Sequence, residues 1–176
     1  GCTIEGQQEL DNILVALDGT PNKGRLGANA LLAVSLAFAR VCANEQGIPL
    51  YQHFANLLDQ PLRTLPRLTI NLFSGGKHAG GQAPIQDVLI VPASATTIDE
   101  GMATTYAVYQ AAAALIKRKY GARALTADEG GLAPDFADAE SMLGDAVQAI
   151  QDAGFIPGSQ VALAVDVACS HFFVDG

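Results

Sequence analysis

Two apolar, β-branched runs, Leu68-Thr69-Ile70-Asn71-Leu72-Phe73 and Ile85-Gln86-Asp87-Val88-Leu89-Ile90-Val91, are separated only by residues 74–84, and this short spacing restricts the fold more than any other feature. Both runs read as strands bounded by Gly or Pro. A parallel pair needs a crossover of about a dozen or more residues, usually helical. The Gly-rich connection has no helical pattern, so the pair is predicted to be antiparallel. The end of the first strand then meets the start of the second, which sets Gly75, Gly76, Lys77 and His78 on one rim with Gln86 and Asp87.

A third run, Val161-Ala162-Leu163-Ala164-Val165-Asp166-Val167, is apolar on both faces, as in a parallel sheet or barrel, except for Asp166 near its C-terminal end. Residues 28–43 carry no Pro or Gly and are apolar nearly all round, which predicts a helix buried on most of its faces and ended by Gly47 and Pro49. A short helix over 50–58 follows, and Pro61 and Pro66 mark the best boundary between subregions. Thr97 and Glu100 form a capping box for a helix that runs to Lys119. Its basic end, Lys117, Arg118 and Lys119, reads as solvated and complementary to the helix dipole. A further helix over 139–153 stops at Gly154. A short strand is expected at 124–127.

Composition narrows the class. Apolar residues make up 49% of the 176 and charged residues 16%, against roughly 25% charged in soluble domains. Much of the surface is therefore expected to pack against something, in an oligomer or a longer chain. The start at Gly1 likewise reads as a processed or partial chain. A net charge of −8 argues against nucleic acid and anionic membranes as partners. The longest apolar stretch contains Asn29, Ser35 and Arg40 and falls short of the roughly 20 residues a membrane span needs. Cys2, Cys42 and Cys169 are odd in number and match no zinc spacing, which predicts free thiols in a reducing, cytoplasmic compartment.

Four places can carry chemistry. A carboxylate at the end of an apolar strand, as at Asp166, needs a cation or strong donors. Asp166 is either a metal ligand or catalytic group at a barrel mouth, or a hydrogen-bonded cap to the next loop. Asp128 and Glu129 precede the pair Gly130-Gly131, where backbone can approach a ligand and a carboxyl can serve as acid or base, although such a run is also common in ordinary loops. His78 sits among Gly and Ala, suited to binding or proton transfer or simply exposed. Gln86 and Asp87 are adjacent, so regular alternation sends them to opposite faces. Both line one site only if the strand start is distorted.

Taken in order, these segments resemble the enolase family from about Leu17 to Gly176. The resemblance rests on Leu17-Asp18-Gly19-Thr20-Pro21-Asn22-Lys23, Gly27-Ala28-Asn29-Ala30 leading into Ala33-Val34-Ser35-Leu36-Ala37, Pro49-Leu50-Tyr51, Gly75-Gly76-Lys77-His78-Ala79-Gly80, Asp128-Glu129-Gly130-Gly131-Leu132-Ala133-Pro134, and the Asp166 strand. It implies an α/β fold: the first part of an enolase-type β/α barrel over 61–176, its first two strands antiparallel, preceded over 1–60 by the helical end of an α+β capping domain.

The resemblance also implies a Mg2+-dependent lyase that interconverts 2-phosphoglycerate and phosphoenolpyruvate, with a divergent dehydratase of another hydroxy acid and a non-catalytic enolase-like binding protein as the alternatives. Its partners would be a small phosphorylated hydroxy acid and a second copy in a homodimer. Carried over by position, Glu129 corresponds to the proton donor to the leaving hydroxyl, Asp166 to a ligand of the tightly bound Mg2+, and His78 and Gln86 to substrate contacts. Asp87, also a substrate-binding candidate, stands where the family usually has Glu, and His171 where it commonly has an acidic residue. The family's base lysine and two further metal carboxylates are expected downstream of the Asp166 strand, so these 176 residues alone are expected to be inactive.

Overall fold

The computed structural model of the chain describes residues 3–81, 83, 85–121 and 125–173. The chain divides into two compact units, Gly1–Leu65 and Pro66–Gly176, where the sequence placed a boundary between 60 and 61.

Among its described residues the first unit holds three helices: α1 (Gln7–Asp18), α2 (Ala28–Glu45) and α3 (Leu50–Leu57). Helix α1 was not anticipated, although Leu10, Leu14 and Leu17 recur at helical spacing and Gly19 ends it in the left-handed region at φ 70°. Its last residue organises the following loop. The buried Asp18 carboxylate accepts hydrogen bonds from the Thr20 amide at 3.0 Å, the Thr20 hydroxyl and the Leu26 amide at 2.7 Å. The segment 17–26 is thus a carboxylate-centred turn. Helix α2 departs from expectation: Leu31, Ala39 and Ala43 are buried, while Leu32, Val34, Leu36 and Val41 are exposed. The described neighbours of its own unit, α1 and α3, cover one side of it and leave the other apolar side open.

The second unit is built on a three-stranded sheet in the order β1 (Ile70–Ser74), β2 (Asp87–Val91) and β3 (Ala162–Asp166). β2 is antiparallel to both neighbours, so the hairpin expected from loop length forms. β1 and β3 therefore end at the rim where β2 begins. Helices α4 (Ile98–Tyr120) and α5 (Ala139–Asp152) supply the rest of the core. Phe73, Val88 and Ile90 are fully buried together with Val108, Ala112, Ile116, Met142, Ala146 and Ile150. Each large side chain so buried contributes about 1.5 to 3 kcal/mol. Phe136 meets the Phe73 and Tyr120 rings edge-on at 5.1 and 5.7 Å, which closes this core against the loop before α5.

The capping box of α4 forms, with the Glu100 amide on Thr97 Oγ1 at 3.1 Å and the Glu100 carboxylate returning to the Thr97 amide at 3.3 Å. Its basic end is not merely solvated. Lys119 Nζ and the Tyr120 hydroxyl reach the buried Asp145 of α5 at 2.6 and 2.7 Å, and Arg118 meets Asp152 at 3.2 Å. These bonds join α4 to α5, a pairing that helix periodicity alone does not encode.

Two strand expectations change. β3, predicted to be buried on both faces, is half-buried over Ala162–Ala164 and exposed at Val165 and Asp166. It is the last strand in the sheet, and its outer edge has no strand beside it among the described residues. The strand expected at 124–127 is reduced to one antiparallel bridge, Thr126 with Leu132, and residue 124 lies outside the described residues.

Candidate active site

The sheet carries its candidate residues on the face away from the helical core. Across β1 and β2, Ile70 pairs with Ile90, Asn71 with Leu89, Phe73 with Val88 and Ser74 with Asp87. Leu72 is an extra residue, a β-bulge. Across β2 and β3, Asp87 pairs with Asp166. Cross-strand partners share a face, so Asn71, Ser74, Asp87 and Asp166 stand together.

Asp87 is buried, and its donors account for that. Oδ1 accepts from Asn71 Nδ2 at 2.6 Å and from the Ser74 hydroxyl at 2.9 Å, while Oδ2 accepts from Gln86 Nε2 at 3.2 Å. Asp166 is exposed. Its Oδ1 accepts the Ala168 amide at 2.9 Å, and its Oδ2 accepts from the same Gln86 Nε2 at 3.3 Å. Asp166 caps the turn that follows, where Ala168 sits at φ 51°, and its second oxygen lies at the exposed rim beside Gln86.

Gln86 bridges the two carboxylates because β2 starts irregularly. The residue lies in a bend just before Asp87, and its carbonyl accepts the Gly75 amide at 2.6 Å. This is the distortion needed for neighbours to serve one site. Chemistry also sets the orientation of its amide. Ionised carboxylates only accept hydrogen bonds, so the amide nitrogen rather than its oxygen faces Asp87 and Asp166. Gln86 borders an open depression of about 180 Å³, with Gly76, Lys77, Val167 and Phe172 on its other sides.

Glu129 is held by backbone. The Gly130 amide donates to the Ala127 carbonyl at 3.0 Å, which places Asp128 and Glu129 at the centre of a tight turn. Gly130 adopts φ 86°, a conformation that favours glycine. Leu132 then pairs with the outer edge of β1, giving its amide to the Leu72 carbonyl at 2.8 Å and taking the Ser74 amide at 3.0 Å. The Tyr109 hydroxyl, from α4, donates to the Gly130 carbonyl at 2.8 Å. Burial raises the pKa of this phenol. The Glu129 side chain is exposed at the tip of the turn.

The structure thus joins Gln86, Asp87 and Asp166 by direct hydrogen bonds and ties the Glu129 turn to the outer edge of β1, the strand whose Asn71 and Ser74 donate to Asp87. The backbone of His78 lies in the 3-10 turn Gly76–Ala79 on this rim, whereas its imidazole, like that of His171, lies outside the described residues. Sequence reasoning passed over Asn71, Ser74 and Tyr109. Asn71 did leave a signal, as the one amide in an apolar strand, which must find partners when buried. Ser74 read as the start of a loop, and Tyr109 as one more residue of a helix.

The site sits on an α/β unit built on a small antiparallel sheet, with Asp87 and Asp166 side by side at one rim. Residues 62–176 match the family model of the enolase C-terminal TIM barrel domain, and residues 1–54 match that of the enolase N-terminal domain. The chain belongs to the enolase family and carries domains of a lyase of the enolase superfamily.

Proposed function

We propose that this chain serves a Mg2+-dependent enolase that interconverts 2-phosphoglycerate with phosphoenolpyruvate and water, the glycolytic reaction of phosphopyruvate hydratase. The observation that carries this reading is the in-register pair Asp87 and Asp166, bridged by Gln86, in a chain that matches both enolase domains.

The rim suits Mg2+ in its donor chemistry. Like charges directly opposite on one sheet face are unfavourable. Asp87 is relieved by Asn71 and Ser74, while Asp166 holds, among the described residues, one side-chain amide hydrogen and one backbone amide. A hard cation there would relieve the pair. Mg2+ commonly takes one or two carboxylates and completes its shell with water and substrate oxygens. No group of three or more His, Cys, Asp or Glu side chains gathers among the described residues, so Asp166 would be the ligand that this region supplies. When bound, Mg2+ would neutralise the charge that develops as a proton leaves the carbon beside a carboxylate.

The residues divide the remaining work. Dehydration passes the proton of the C–H bond beside the carboxylate to a general base, the lysine that the family resemblance implies, and breaks a C–O bond at the neighbouring carbon. The hydroxyl leaves as water when Glu129 supplies a proton. Gln86 presents its carbonyl oxygen to a donor, such as a substrate hydroxyl, and His78 is assigned to the same substrate. Asp87 holds Gln86 in place. A homodimer in the cytoplasm belongs to this proposal. The uncovered apolar side chains of α2 and the free thiols Cys42 and Cys169 are in keeping with it, and no helix among the described residues is long and apolar enough to cross a membrane.

One observation favours a second reading, a lyase for another hydroxy acid. The short Asp87 side chain is drawn into the sheet by Asn71 and Ser74, at a place where the family usually has the longer Glu. Assaying the full-length protein on 2-phosphoglycerate beside a panel of other 2- and 3-hydroxy acids decides between them. Preferred turnover of 2-phosphoglycerate supports the first reading, and turnover confined to another acid replaces it with the second.

A further inference from the structure

Asn71 and Ser74 are three residues apart, so in a regular strand they would point to opposite faces. The extra residue Leu72 removes that conflict. With the bulge, Asn71 aligns with Leu89 and Ser74 with Asp87, and both side chains converge on Asp87 Oδ1 while bonding each other at 3.0 Å. Bulges commonly re-aim side chains in this way beside active sites.

The same two side chains meet the loop that carries Glu129. A Cβ on Gly131 would collide with Ser74 Oγ and lie 2.8 Å from Asn71 Oδ1. That Asn71 oxygen is buried and has no hydrogen-bond partner among the described residues, so within them it is fixed by its surroundings. Leu132, the next residue, is bonded to Leu72 and Ser74 on both its amide and its carbonyl. One short stretch of β1 therefore touches both halves of the site. Inward it reaches Asp166 through Asp87 and Gln86, and outward it reaches Glu129 through Gly131.

We propose that Asn71 and Ser74 are positioning residues of the lyase site: the Leu72 bulge turns them onto Asp87, and through it they hold the Gln86 amide against Asp166, while they also seat the Glu129 turn. The inference rests on the proposed reaction and adds residues that act without touching substrate. Its signature is a loss in kcat with little change in KM, because geometry rather than substrate affinity is altered.

The test is a double-mutant cycle in the full-length protein, using Mg2+ and 2-phosphoglycerate. Ser74→Ala, Gln86→Met and the double variant are compared with the unmodified enzyme. Ser74→Ala is expected to lower kcat by about tenfold to a hundredfold with KM changed by less than about threefold. In the Gln86→Met background the same change is expected to have less than about a third of that effect, because the route through Gln86 is already cut and only the weaker route through the Glu129 turn remains. If Ser74→Ala fails to fold, as judged by circular dichroism, the cycle is run with Asn71→Ser, which shortens one donor arm. Effects that multiply independently in the two backgrounds, or a change confined to KM, would overturn the inference and leave the proposed reaction standing. No turnover by the unmodified protein would remove the reaction and the inference together.

Discussion

Asp87 and Asp166 stand directly opposite each other across β2 and β3, and one nitrogen, Gln86 Nε2, lies 3.2 Å from the first carboxylate and 3.3 Å from the second. Two like charges so placed oppose folding mildly when no cation is present. Replacing Asp166 by Asn keeps the shape and removes one charge. In chelator, Asp166→Asn is therefore expected to hold or raise the thermal midpoint, while calorimetric titration of the full-length protein with Mg2+ should show affinity reduced by about tenfold or more. A lower midpoint without metal together with unchanged Mg2+ affinity would make Asp166 a loop cap and nothing more.

Gly131 packs where no side chain fits. Its Cβ would press into Ser74 Oγ and Asn71 Oδ1, both inside the polar cluster on Asp87. Gly131→Ala is expected to cost about 1 to 3 kcal/mol in urea unfolding, the usual penalty of overpacking. Adding Ser74→Gly, which removes the obstructing hydroxyl, should recover part of that loss. An unchanged urea midpoint in Gly131→Ala would show that the turn sits further from β1 than described.

Tyr109 anchors the Glu129 turn from α4 through a single bond to the Gly130 carbonyl. Tyr109→Phe removes that donor and little else, so stability should fall by about 1 kcal/mol. Urea unfolding measures the loss, and steady-state assay of the same variant should show kcat falling more than KM rises. A variant as stable and as fast as the parent would remove the phenol from any positioning role.

Several carboxylates are held below their ordinary range: Asp18 by the Thr20 hydroxyl and the Leu26 amide, Glu100 by the Thr96 amide and hydroxyl, Asp138 by the Ser141 amide, and Asp152 by the Gln148 amide and Arg118. A depressed folded value means that the charged form favours the native state. The stability it contributes is complete above the unfolded-state values, about 4, and is lost as pH falls through the lower folded values. Urea midpoints should thus hold from pH 7 to about 5 and decline below about 4. Asp138→Ala, which uncaps α5, should flatten part of that decline, and an acid limb of unchanged slope in this variant would contradict the assignment.

How far the sequence could be read depended on whether the determinant was local. Thr97 with Glu100 and Gly121 with its φ of 61° mark α4 because caps are made by neighbours in the chain. The antiparallel hairpin followed from the short length and the Gly-rich, non-helical pattern of 74–84. The Asp128-Glu129-Gly130-Gly131 turn was visible as a motif, but its anchor Tyr109 comes from a helix 20 residues away in sequence and left no trace. The bulge at Leu72 was equally silent, since Leu68 to Phe73 reads as an unbroken strand, and only the register reveals that Asn71 and Ser74 share a face. β3 and α2 were read as buried because their composition is apolar. Burial needs a neighbour as well as an apolar residue, and the described neighbours cover β3 and α2 only in part.

The most direct test of the account measures phosphoenolpyruvate formation from 2-phosphoglycerate by the full-length protein and by its Glu129→Gln variant, each with Mg2+ and with excess chelator. Glu129 is exposed at the tip of its turn, so the substitution should leave the thermal midpoint unchanged. The account predicts Mg2+-dependent product from the unmodified protein, none in chelator, and a kcat lowered about 10² to 10⁴-fold in the variant, the range for loss of a general acid. No product from the unmodified protein, or a variant that turns over at the parent rate, would contradict it.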